Sequence, residues 1–157
     1  METGKFTVTL AAVDALPVVF FGVAAGTLGW KLHSGLFFAG AAVCLLAGGG
    51  KVLWKLILAR KGRDVPWLGA QMRFLMPLGF ALMTAGALLA DRGTATALLR
   101  AAARLPSALC FGGTVLGLAA MVVCARKFDR HDVRGNWMEQ LINAAAQACA
   151  MIGVLLL

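Results

Sequence analysis

The sequence predicts an all-α integral membrane protein of about five transmembrane helices, with its N-terminus in the cytoplasm and its C-terminus outside. Three observations predict it. Hydrophobic residues fill 61% of 157 positions and charged residues 14%, whereas a soluble domain carries roughly 45–50% and about 25%. Five apolar runs, at 8–30, 34–59, 66–90, 107–125 and 137–157, each reach the roughly 20 residues that cross a ~30 Å hydrocarbon layer. Lys and Arg gather mostly at the ends of these runs. A single polytopic membrane domain over 1–157, with no extramembrane domain, is the expected organisation.

The first run is preceded by one basic residue, Lys5, and interrupted by Asp14 and Pro17. That is a poor signal peptide and a reasonable retained helix. The second run holds Gly48, Gly49 and Gly50, followed by the basic stretch KVLWKLILAR. One tilted helix reaching Arg60 is preferred to a shorter span followed by an interfacial segment. The third run contains Arg73 and Pro77. After it, Arg100 and Arg104 stand four apart among Ala and Leu, which predicts a short interfacial helix near 94–104 with snorkelling charges. The fourth run carries Gly113 and Gly117, and the first carries Gly22 and Gly26. Small residues at this spacing let helix backbones approach. The fifth run begins with Asn136, Trp137, Glu139 and Gln140.

Leu36 to Gly40 resembles Leu109 to Gly113, with further matches at Ala59-Arg60-Lys61 against Ala125-Arg126-Lys127 and at Trp67 against Trp137. The register slips between these points. Chance similarity of Leu, Ala and Gly-rich helices is preferred to a parallel repeat.

Orientation follows from basic residues in alternate connectors. One side collects ten (Lys5, Lys51, Lys55, Arg60, Lys61, Arg63, Arg126, Lys127, Arg130, Arg134) and the other four (Lys31, Arg92, Arg100, Arg104), with Arg73 set aside as intramembrane. Cytoplasmic loops hold the excess, so the N-terminus is inside, as in a bacterial-type inner membrane. Trp54, Trp67 and Trp137 fall near the inner ends, where an aromatic belt belongs. The net charge of +8 therefore points to anionic lipid rather than nucleic acid.

Polar groups concentrate in the inner half. Counted from the helix ends, Asp14, Lys51, Lys55 and Arg73 lie roughly 7 to 14 Å below the inner surface at about 1.5 Å per residue. Asn136, Gln140, Asn143 and Gln147 are spaced four, three and four apart, so they share one face of the last helix, with Glu139 beside it. Ionised groups at depth pair with one another or line a wet cavity. Pro17 and Pro77 leave the carbonyls of Val13 and Arg73 without their helical donors at the same level.

The expected role is binding or transport of a small anionic or amphiphilic molecule through a cytoplasm-facing pocket. Lys51, Lys55 and Arg73 supply charge, Gln140, Asn143 and Gln147 orient, and Asp14, Glu139 and Asn136 hold the cations. One alternative is a structural or accessory subunit whose polar stripe makes helix contacts with its own copies or with a partner membrane subunit. Another is an enzyme acting on lipid head groups through Lys51 and Glu139. Enzymatic activity is disfavoured, because no Ser/His/Asp, Cys/His or paired-carboxylate arrangement is visible. No cofactor or metal is expected: His33 and His131 fall on opposite sides of the membrane, and Cys44, Cys110, Cys124 and Cys149 lack ligand spacing.

Overall fold

A computed structural model describes residues 8–127 and 133–157; Lys5, Arg130 and His131, and the side chains of Lys127, Arg134 and Asn136, lie outside the described residues. Among those described there is no strand. The helices are α1 (Val8–Leu32), α2 (Gly35–Lys61), α3 (Pro66–Ala70), α4 (Met72–Leu88), α5 (Arg92–Ala102), α6 (Ser107–Lys127) and α7 (Val133–Leu155). Four of these, α1, α2, α6 and α7, are long and apolar enough to cross a membrane. A fifth crossing results when the run Pro66–Leu88 is counted with α5, onto which it turns by 109°.

Local chemistry sets the boundaries. Ser34 caps α2, its hydroxyl accepting from the Phe37 N–H at 3.3 Å and donating to the Gly86 carbonyl at 3.0 Å, so one side chain ends a turn and ties α2 to α4. Gly62 closes α2 in the left-handed region at φ 60°, its N–H bonded back to Leu58, which glycine adopts without a Cβ penalty. Pro66 opens α3, where the missing N–H costs nothing. Gln71 keeps helical dihedrals between α3 and α4, so the two run on as one rod. Asp91 caps α5 by accepting the Thr94 N–H at 2.7 Å. That bond holds the exposed Asp91 carboxyl below its ordinary pKa, so the cap is complete above that range and weakens as pH falls through it.

The second apolar run is one unbroken helix of 27 residues through all three glycines. Gly48 lets α1 approach, since a Cβ there would meet the Val18 methyls at 3.0 and 3.3 Å, and Gly50 lies under the Gln71 side chain. The interfacial alternative for the stretch after Gly50 is therefore not the observed conformation. The short helix after the third run also forms, beginning at Arg92 rather than near 94.

The helices pack in a row in the order α4, α2, α1, α7, α6. Central α1 touches both hairpins: α2 with α4, and α6 with α7. In the first hairpin a Cβ on Gly40 would come within 2.6 Å of the Gly79 carbonyl oxygen, and Gly79 faces the Cys44 thiol. In the second, a Cβ on Gly113 would lie 3.2 Å from Cys149 Sγ and one on Gly117 2.7 Å from Ala146 Cβ.

These crossings correspond. One offset carries Gly40 and Cys44 onto Gly113 and Gly117, and a slightly shorter one carries Met76 and Gly79 onto Ala146 and Cys149. The accepting carbonyls correspond as well: Cys44 Sγ donates to Met76 O at 4.0 Å, and Thr114 Oγ1, from a position not equivalent to Cys44, donates to Ala146 O at 3.3 Å. The faint sequence match thus coincides with two hairpins that cross at matched positions. Its largest register slip falls within the first helix of each hairpin, where α2 is longer than α6.

Candidate functional site

Asp14 on α1 and Lys55 on α2 form a buried ion pair, with Nζ 2.5 Å from Oδ2 and side chains 5% exposed at both ends. Direct contact and charge attraction both hold the ammonium against the carboxylate. Antiparallel packing of α1 against α2 sets the level: Gly48 opposes Val18 and Gly22 opposes Leu45, so Lys55, further along α2, reaches back to Asp14. Lys51 and Glu139 act on the Lys55 ammonium through space, the first repelling and the second attracting it.

Beside this pair lies a cavity of about 150 Å³ between α1, α2, α4 and α7. Its polar lining comes from Asp14, Lys51, Asn143 and Gln147. Its apolar lining includes Phe21, Met72, Met76 and Phe80. At ~30 Å³ per water, this volume holds about five waters or one small solute. Phe21 and Phe80 meet edge to face, centroids 6.2 Å apart, and join α1 to α4 across the cavity.

Asn143 and Gln147 make no hydrogen bond to any other residue among those described, and Lys51 has no carboxylate within ion-pair distance there. Lys51 on α2 and Asn143 and Gln147 on α7 therefore converge on a void rather than on one another. Pro17 also lines it, one turn along α1 from Asp14, and the Val13 carbonyl released by that proline lies at the same level.

The other predicted residues are placed differently. Gln140 is buried at 7% exposure on the same helix as Asn143 but does not line the cavity. Glu139 is half-buried and also outside the lining, so Lys51 and Glu139 share no wall of this cavity and no acid–base pair is assembled there. Arg73 is exposed on α4. The α4 residues that face inward are Met72, Met76 and Phe80, a stripe at four-residue spacing, and Arg73 stands one position off it. The backbone of Asn136 belongs to α7, and its side chain lies outside the described residues.

Sequence reasoning did not single out Phe21, Met72, Met76 or Phe80, nor Gln71, whose amide covers Gly50. In a helix that is apolar on all sides no moment marks the inward face, and the four-residue spacing of Met72, Met76 and Phe80 was the one available signal. All four cysteines are free, with Cys44 buried at the α2–α4 crossing. Among the described residues no group of three or more His, Cys, Asp and Glu stands close enough to hold a metal ion. No protein-family model, curated protein or solved structure matches the chain.

Proposed function

We propose that the protein binds a small anionic solute in the cavity between α1, α2, α4 and α7, with the N-terminus inside the cell and the cavity's polar end toward the cytoplasm. The observation that carries this is the convergence of Lys51, Asn143 and Gln147 on a void while the neighbouring carboxylate, Asp14, is already engaged by Lys55. Polar residues that serve only to join helices satisfy one another across the interface. Here the ammonium and two carboxamides stay available to a guest. Lys51 supplies the charge, Asn143 and Gln147 orient the bound group through their amide N–H donors, and Asp14 keeps Lys55 out of the cavity. Arg73 has no part in binding in this reading, and its charge belongs to the inner interface.

The test uses the purified protein in nanodiscs and the thermal unfolding midpoint in sodium salts of chloride, nitrate, acetate and phosphate. At least one small anion raises the midpoint; a ligand at 100 times its Kd contributes about 2.7 kcal/mol to the folded state. Lys51→Met and Asn143→Leu abolish the increase, and Arg73→Ala retains it. No increase with any of these salts, or equal loss in all three variants, overturns the proposal.

A further inference from the structure

The cavity's two ends differ, and the difference narrows the ligand. We propose, resting on the anion-site reading above, that the guest is a short-chain monocarboxylate, with its carboxylate at Lys51 and Asn143 and its hydrocarbon chain along the wall toward Phe21 and Phe80.

The helix packing fixes the levels. Lys55 meets Asp14, Gly50 meets Gln71 and Gly48 meets Val18, which sets Lys51 beside Asp14 and Met72 at one end of the cavity. Cys44 meets Gly79, and Gly22 meets Leu45, which sets Phe21, Cys44 and Phe80 at the other end, about two helical turns or roughly 10 Å away. Both charged lining residues, Asp14 and Lys51, therefore stand at one end, and two phenyl rings, Phe21 and the half-exposed Phe80, flank the opposite end. Met72 and Met76 fill the wall between them; thioethers adapt to alkyl chains of varied shape. Gln147, one turn beyond Asn143, is the polar group on the chain's flank, so a hydroxyl on the chain is tolerated.

Charge sets the valence. Asp14 is paired with Lys55 and Glu139 lies outside the lining, so Lys51 is the cation that the cavity wall presents without a carboxylate at ion-pair distance among the described residues. A monoanion balances it, whereas phosphate or a dicarboxylate brings a second charge into a space walled by Phe and Met. An inorganic monoanion balances the charge and leaves the apolar end with water against aromatic rings. A carboxylate with a short chain satisfies both ends within about 150 Å³.

Calorimetric titration of the nanodisc-held protein with sodium salts of acetate, propionate, butyrate, hexanoate and octanoate, with chloride, phosphate and succinate alongside, tests this. Affinity rises about fourfold per methylene up to butyrate, then falls for hexanoate and octanoate as the chain outgrows a cavity of about 150 Å³. Phosphate and succinate do not bind, and chloride binds more weakly than acetate. Lys51→Met loses at least tenfold for every acid, and Phe21→Ala moves the optimum to a longer acid. Equal affinity for chloride and butyrate, both dependent on Lys51, overturns the ligand class and leaves the anion site standing. Affinity that climbs through octanoate and survives Lys51→Met is partition into lipid and overturns the proposal. No binding of any anion overturns both.

Discussion

A buried ammonium and carboxylate survive in this bundle because they meet. At about 5% exposure on both partners, Asp14 and Lys55 have exchanged water for one another, and removing either takes away the other's directly contacting opposite charge. Loss of one partner of such a pair costs about 3–5 kcal/mol, while replacement of both by apolar residues of similar volume is near neutral. Asp14→Leu is therefore expected to lower the thermal midpoint strongly, and Asp14→Leu with Lys55→Met to restore most of it. Denaturation in detergent measures both, and equal instability of the single and double variants contradicts the pairing argument. Counting positions from helix ends was enough to assign Asp14, Lys51 and Asn143 to one layer, because rise per residue is fixed. It could not tell which lysine takes the carboxylate: Lys51 and Lys55 are one turn apart, and the choice depends on how α1 slides against α2. Arg73 shows the other limit. Depth marks it as intramembrane, but helical phase decides where it points, and one residue's rotation carries it from the Met72, Met76 and Phe80 stripe to the exposed surface. A long side chain near a helix end can snorkel toward head groups, which removes the need for an inward partner.

Among the elements, the hairpins owe their closeness to glycine. With lipid as apolar as leucine, nothing expels apolar side chains toward one another, and contact at van der Waals distance becomes the main attraction. Gly79 is the extreme case, wedged between the Cys44 thiol and the Gly40 carbonyl, where an added Cβ would lie 2.9 Å from that oxygen. Gly79→Leu must separate α2 from α4, at the ~1–3 kcal/mol typical of overpacking or more, since backbone lies in the way. At exposed Gly112 an added Cβ would meet nothing within 4 Å, and Gly112→Leu is expected to leave the midpoint unchanged. Comparing the two in the same detergent checks the claim, and equal tolerance would mean that the crossing does not stabilise the hairpin. The sequence motifs Gly22/Gly26 and Gly113/Gly117 were legible as packing candidates. Their partners differ in the structure: Gly113 and Gly117 meet α7, Gly22 meets Leu45, and Gly26 faces open space. Spacing records that two small residues share a face, and says nothing of what that face meets. The matched crossings of the two hairpins were obscured for a related reason, since α2 has 27 residues and α6 has 21, which breaks an alignment drawn through the helix ends.

At the scale of the whole molecule, the all-helical class and the four or five helices long and apolar enough to cross a membrane were readable from composition and run length. The row order α4, α2, α1, α7, α6 was not, since apolar helices of similar composition carry no label for their neighbours. Short connectors correctly suggest that α1 meets α2 and α2 meets α4, yet α4 and α6, joined through α5, stand at opposite ends of the row. Orientation is the remaining quantity, and it determines which compartment the cavity's charged end addresses. The proposed orientation rests on the excess of Lys and Arg on the side of the α2–α3 connector, and it assigns α5, with exposed Arg92, Thr96 and Arg100, to the outer side. In a background with Cys44, Cys110, Cys124 and Cys149 replaced by Ala, Thr96→Cys is expected to react with a membrane-impermeant maleimide on intact cells. Arg63→Cys, equally exposed in the connector after Gly62, is expected to react only after permeabilisation. The reverse pattern would turn the bundle over and point Lys51 and Asp14 toward the outer side, so that a solute drawn to that end would be captured from outside the cell. Labelling at both positions on intact cells would instead break the rule that successive helices alternate, and with it the placing of the charged layer relative to the inner surface.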